Sequence, residues 1–167
     1  DFCLSRGLGD VYKRQILVRL GDADGMICGM IDTYHDHLKF IEQVLGKAEG
    51  VENFAAMNLL MLQGRNLFIS DTYVNEIPTP TQLADMTILA AREIEKFGIA
   101  PKVALLSNSN FGSVPTASSK RMAEARKLIA ERAPDLEVDG EMHGDAALSE
   151  VVRKAAFPGS KLTGEAN

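Results

Sequence analysis

The chain has 167 residues, 46% of them hydrophobic and 25% charged, which is the balance of a packed globular domain rather than of a disordered chain. Its formal net charge of −5 and its sequence pI near 5.2 argue against a nucleic-acid partner, because phosphate neutralisation needs a surplus of Lys and Arg on one surface. The longest apolar runs, Leu59 to Leu62 and Val103 to Leu106, fall far short of the roughly 20 residues a bilayer span requires, so no membrane partner is expected.

Residues Asp1 to Gln15 show neither helical nor strand periodicity and read as a non-native segment, set apart from the fold. From Ile16 onward, short apolar runs alternate with amphipathic segments, the pattern of an α/β domain with a mostly parallel sheet. Gly25 to Met30 reads as a buried strand and Thr33 to Leu45 as a helix stopped by Gly46. Phe54 to Leu62 and Asn66 to Ser70, separated by Gln63-Gly64-Arg65, predict an antiparallel pair. Thr79-Pro80-Thr81-Gln82 carries a capping residue, a proline at the first helical position and a glutamine able to reach back. It predicts a sharp helix start, with Leu83, Met86, Ala90, Ile94 and Phe97 as the apolar stripe and Gly98 as the stop. A strand over Lys102 to Leu106 follows, then a helix through Met122, Ala125, Ile129 and Ala133 closed by Pro134. Leu136 to Met142 is the next strand, Ala146 to Lys154 a helix, and Lys161 to Thr163 the approach to a further strand. The C-terminus at Asn167 reads as truncated.

Ligands of open α/β sheets bind beyond the carboxyl ends of strands, and three segments stand at such ends. Ser107, Asn108, Ser109, Asn110, Gly112 and Ser113 supply the hydroxyls, amides and close-approach glycine of a phosphate or pyrophosphate cradle; the same residues also read as a capped loop. Asp71 and Asn75 could orient a ligand, or serve a turn. Glu141 and Asp145 belong to a stretch, Asp139 to Asp145, whose two glycines, three carboxylates and His143 at a strand end are denser in polar function than a simple turn requires. Ser119, on the helix after the first loop, reads as remote from the site. No metal site is expected: Asp22-Ala23-Asp24-Gly25 lacks the EF-hand spacing, while His35 and His37 are two apart on a helix and read as surface residues. Cys28 reads as a buried inert thiol, and two cysteines give no disulfide framework, in keeping with a cytoplasmic location.

GDADGMICG (21–29), FISDTYVN (68–75), FGIAPKVALLSNSNFGS (97–113), APDLEVDGEMHGDAAL (133–148) and PGSKLTGEAN (158–167) resemble, in order and separation, the motifs of the phosphate acetyl/butyryltransferase family. The resemblance covers Ile16 to Asn167 and is closest to the C-terminal domain of bacterial NADP-dependent malic enzymes. It implies a three-layer α/β lobe, a truncated part of a two-lobed fold, and no catalytic residue within this stretch. The ligand it implies is acetyl-CoA, with NADP and a divalent metal held elsewhere in the parent enzyme and a homo-oligomer formed through that parent. The alternative it leaves open is a phosphate acetyltransferase, exchanging acetyl groups between coenzyme A and phosphate. Stand-alone transferases of the family carry Ser-x-Ser-x-x-Gly-Ser with a lysine before the glycine. Here Ser107, Ser109, Gly112 and Ser113 match, but Phe111 stands at the lysine, and Lys39 meets a basic residue expected on the first helix. The Ser-Arg pair and aspartate that bind coenzyme A in the family are expected beyond Asn167.

Overall fold

The computed structural model describes residues 8–29 and 32–167, with side chains from Tyr12 onward. The chain divides into two compact units, 1–52 and 53–167.

In the first unit, α1 (Leu8–Leu20) packs against α2 (Tyr34–Val44). Tyr12 meets Phe40 edge-on with ring centroids 5.8 Å apart, and Arg19 Nη1 donates to Val44 O. Helix α2 starts where the sequence places it, with Thr33 Oγ1 accepting from Asp36 N–H, and it gives way at Gly46, φ +76°. Three expectations fail here. Residues 8–15 are helical, and Gln15 is fully buried, so this stretch is part of a helix although its apolar residues lack a clean stripe. The described part of 25–30 is irregular rather than a strand, with Ile27 95% exposed; Met30 lies outside the described residues. His37 is buried rather than on the surface, because the face opposite His35 is the one that packs.

The second unit opens with the antiparallel pair β1 (Met57–Leu62) and β2 (Arg65–Ser70), in register Leu59 to Phe68. The turn is Gln63-Gly64 with Gly64 at φ +85°, so Arg65 joins the strand and Phe54 to Ala56 lie outside it. Helix α3 (Pro80–Lys96) begins with both halves of the capping box formed: Thr79 Oγ1 accepts from Gln82 N–H and Gln82 Oε1 accepts from Thr79 N–H. Its buried face is Ala84, Met86, Thr87, Ala91 and Ile94. The expected stripe is rotated, leaving Phe97 60% exposed, because small Ala84 and Ala91 let the helix lie close on its neighbours.

Strands β3 (Lys102–Leu106) and β4 (Glu137–Met142) pair in parallel across the connecting helix α4 (Ala117–Arg132). Alternation along β3 sorts its side chains into two cores. Val103 and Leu105 pack with Ala84, Ile129 and Val138 beneath α3 and α4. Ala104 faces the other way, toward Met142, Ala146, Ala147 and Leu162. Helices α3 and α4, the strands, and then α5 (Gly144–Leu148) with the tail form three layers. Each fully buried aliphatic such as Ile129 contributes roughly 1.5–3 kcal/mol.

The helix expected over Ala146 to Lys154 is broken in two, α5 and α6 (Glu150–Ala156), by Ser149 in extended conformation, whose Oγ caps α6. The break turns Arg153 inward. Its guanidinium is fully buried and donates to the carbonyls of Ala146, Ala147, Leu162 and Gly164, locking the tail onto α5. Lys161 to Thr163 form no strand among the described residues. The chain reaches strand-like pairing only at Asn167, which lies between β2 and β3: Phe68 N–H donates to Asn167 O at 2.7 Å and Asn167 N–H to Lys102 O at 3.0 Å. Lys102 N–H in turn donates to Asn167 Oδ1 at 2.8 Å, and Asn167 Nδ2 to Ala100 O at 2.8 Å.

Candidate functional site

Because β3 and β4 are parallel neighbours, their carboxyl ends deliver the Ser107–Ser113 loop and the Glu141–His143 segment side by side. Leu105 pairs with Gly140 but Leu106 pairs with Met142, so Glu141 is the extra residue of a bulge. Gly140 makes the bulge possible: at φ +135°, a Cβ there would lie 2.6 Å from Leu105 O. Glu141 is thereby turned under the loop and is only 2% exposed.

Its Oε1 accepts from Ser109 Oγ at 2.9 Å and from Gly112 N–H at 2.6 Å, while its main-chain oxygen accepts from Phe111 N–H at 2.7 Å. Ser109, fully buried, passes its Oγ on as acceptor to Val114 N–H at 3.0 Å. Ser107 N–H donates to Met142 O and Asn110 N–H to Ser113 Oγ, both at 3.0 Å. The loop is thus held by the end of β4. Of the donors expected to cradle a ligand phosphate, the N–H groups of Ser109, Asn110, Phe111 and Gly112 are already engaged within the protein. What the loop offers outward is Asn108, Gly112 and Ser113 on an exposed rim, where Gly112, at φ +85°, leaves open space in place of a Cβ.

Phe111, where the resemblance led to the expectation of a lysine, adopts φ +49° and stacks on Phe157 with centroids 4.4 Å apart and planes 18° from parallel. An aromatic pair therefore borders the loop. Ser119 is buried, accepts from Thr116 N–H through Oγ, and donates that hydroxyl to Val114 O at 2.9 Å.

Among the described residues, the hydrogen bonds of Asp71, Asn75 and Asp145 are local ones. Asp71, at φ +52°, accepts from Asn75 N–H through Oδ2, and Asn75 Nδ2 donates to Phe54 O at 2.9 Å, so the pair organises its own turn after β2. Asp71 Oδ1 is buried without a partner among the described residues. Asp145 is exposed and accepts from the neighbouring Ala146 N–H. Lys39 belongs to the first unit, where it pairs with Asp36 at 3.5 Å. Cys28 is half-buried with a free thiol. Among the described residues no group of His, Cys, Asp and Glu could hold a metal ion, and no helix is long and apolar enough to cross a membrane.

Sequence reasoning missed Arg153, and it counted Asp139 and His143 in the dense stretch at the strand end without giving either a role. Asp139, 1% exposed, accepts from Ser160 Oγ at 2.8 Å and Lys161 N–H at 2.7 Å and lies 3.6 Å from Arg126 Nη1, pinning the Pro158-Gly159 turn to β4. His143 donates its backbone N–H to Asn110 Oδ1 at 2.7 Å. A histidine directly following a bulged strand end was the available signal.

The NADP-dependent malic enzyme of Salmonella typhimurium is 53% identical over 152 residues, covering 91% of this chain and 20% of that protein. The phosphate acetyltransferase of Nitratidesulfovibrio vulgaris is 35% identical over 155 residues, covering 93% of this chain and 22% of that protein. Among solved structures, the EutD phosphotransacetylase from Staphylococcus aureus superposes with a TM-score of 0.82 at 30% identity, over 94% of this chain and 49% of that one. The chain thus spans about a fifth of the length of these enzymes and half of that transacetylase. Residues 9–167 match the family described as phosphate acetyl/butaryl transferase, and the chain belongs to that family.

Proposed function

We propose that this chain is part of the acetyl-CoA-sensing, phosphotransacetylase-like domain of an NADP-dependent malic enzyme, which oxidatively decarboxylates malate to pyruvate. The observation that carries the reading is the 53% identity to the Salmonella typhimurium malic enzyme, against 35% to a phosphate acetyltransferase over a similar span. Phe111 supports it. A stacked aromatic ring in place of a lysine removes the cation that would steady an acyl phosphate, leaving a loop suited to binding without transfer. In this reading acetyl-CoA binds beside Ser107 to Ser113, with Asp71, Asn75, Glu141 and Asp145 as the remaining candidate contributors from the second unit. Glu141 acts through the loop it holds. NADP and a divalent metal bind in the malate-oxidising part of the parent, outside this chain, and the parent is a cytoplasmic homo-oligomer.

The second reading, a phosphate acetyltransferase, is favoured by the matched Ser107, Ser109, Gly112 and Ser113 and by the fold shared with the EutD phosphotransacetylase. Isothermal titration of the full-length protein with acetyl-CoA, alongside assays of malate-dependent NADPH formation and of acetyl phosphate formation, separates the two. Binding heat with a change in malate kinetics and no acetyl phosphate is expected. Acetyl phosphate formation without malate oxidation would establish the second reading, and no binding heat would overturn the first. Replacing Gly112 by Val forces a β-branched residue to φ +85° and should weaken acetyl-CoA binding at least about tenfold. The exposed Lys127→Ala on α4 should bind as wild type.

A further inference from the structure

The side chain of His143 has determinate surroundings. Its backbone N–H donates to Asn110 at 2.7 Å, and the other terminal atom of the Asn110 amide lies 3.2 Å from His143 Nδ1. A backbone N–H can only donate, so the Asn110 atom facing it is the oxygen, and the amide nitrogen faces the ring. That nitrogen can only donate, so Nδ1 is the acceptor and the neutral ring carries its proton on Nε2. The ring is exposed, with Nε2 on the side away from Asn110.

The mount is rigid on both sides. Asn110 sits between Ser109, bonded to Glu141 Oε1, and Phe111, whose N–H donates to Glu141 O. His143 follows Met142, which is fully buried in the core. A side chain that merely decorates the surface does not need its tautomer selected from one side and its main chain held from the other.

We propose that His143 is a ligand-contacting residue of the acyl-CoA site, presenting Nε2–H to an acceptor oxygen of the ligand, either a phosphate oxygen or the thioester carbonyl, with Asn110 and Glu141 as its positioning residues. The proposal rests on the acetyl-CoA reading for the identity of the ligand but not for the geometry of the donor. Its test combines nitrogen-15 NMR of histidine-labelled full-length protein with titrations of acetyl-CoA and, separately, inorganic phosphate. The His143 ring is expected as the Nε2–H tautomer, with the Nε2 resonance moving on addition of acetyl-CoA while Nδ1 holds its position. His143→Phe, which keeps the ring's bulk and loses the donor, should weaken binding about tenfold, and His143→Gln, which can restore a donor near Nε2, should recover most of it. A response to inorganic phosphate as well assigns the contact to a phosphate oxygen, and a response to acetyl-CoA alone assigns it to the carbonyl. An Nδ1–H tautomer overturns the proposal, as does wild-type binding by His143→Phe with an unmoved Nε2 resonance, which would leave the pair as a loop fastening. Should acetyl-CoA fail to bind the wild-type protein, the ligand reading falls by itself. His143 is then judged on phosphate, where binding lost in His143→Phe sustains the contact and no binding ends it.

Discussion

Gly140 carries more than its size suggests, because the bulge that aims Glu141 into the loop depends on the absence of its side chain. An added methyl group would sit 2.6 Å from Leu105 O and 3.0 Å from Leu105 Cβ, at φ +135°. Gly140→Ala should therefore destabilise the protein by about 2 kcal/mol or more, read by urea unfolding. Glu137, at the start of β4, makes a pH prediction. Partial burial opposes its charge, but donation from Thr163 N–H and Oγ–H and the positive charges of Lys102 and Arg153 outweigh that, holding its carboxyl below the usual value of 4.5. A carboxylate depressed by folding contributes stability that is present above its unfolded pKa and lost as pH falls through the folded one. Glu137→Gln should therefore narrow the difference in unfolding midpoint between pH 6 and pH 3, relative to wild type. Of the candidate site, the polar loop Ser107 to Ser113 was legible as a loop, because hydroxyls, amides and glycine follow an apolar strand. The inward engagement of its N–H groups was not legible, since it depends on Glu141, 32 positions from Ser109 in sequence and brought there by a bulge that no local pattern announces.

Elements with strong local punctuation were read correctly. Helix α3 was marked by Thr79, Pro80, Gln82 and Gly98, and β3 by five residues between Pro101 and Ser107; both stand where expected. The 144–156 segment has no Gly or Pro at its middle, so its break at Ser149 was invisible, although that break is what delivers Arg153 to the interior. The expected strand at Gly25 to Met30 failed for the converse reason, an apolar run with glycines at 25 and 29 and no partner strand recorded beside its described residues. Arg153→Met would keep the apolar stem but leave the carbonyls of Ala146, Ala147, Leu162 and Gly164 without this donor. A loss of about 3 kcal/mol is expected by denaturant titration. It should be accompanied by faster amide exchange of Leu162 and Ala166, whereas exchange along α3 should be unchanged.

At the scale of the whole second unit, the antiparallel and parallel pairs meet through Asn167, which gives its main chain to Phe68 and Lys102 and its side chain to Lys102 and Ala100. The apolar alternation of the sequence announced an α/β architecture and its layers, but not that one residue would link two sheets, because pairing between distant strands leaves no local trace. This linkage has a kinetic consequence. The contact between Lys102 and Asn167 closes a separation of 65 residues, whereas β3, α4 and β4 follow one another directly and α3 leads into them. Contacts that close long loops repay their entropy late, so the Asn167 junction should be absent from the folding transition state and form on its native side. Asn167→Ala should leave the refolding limb of the chevron in place and raise the unfolding rate about tenfold, the share of two lost side-chain hydrogen bonds. The residue that joins the two sheets would then set how long the folded state lasts, and have little part in how fast it is reached.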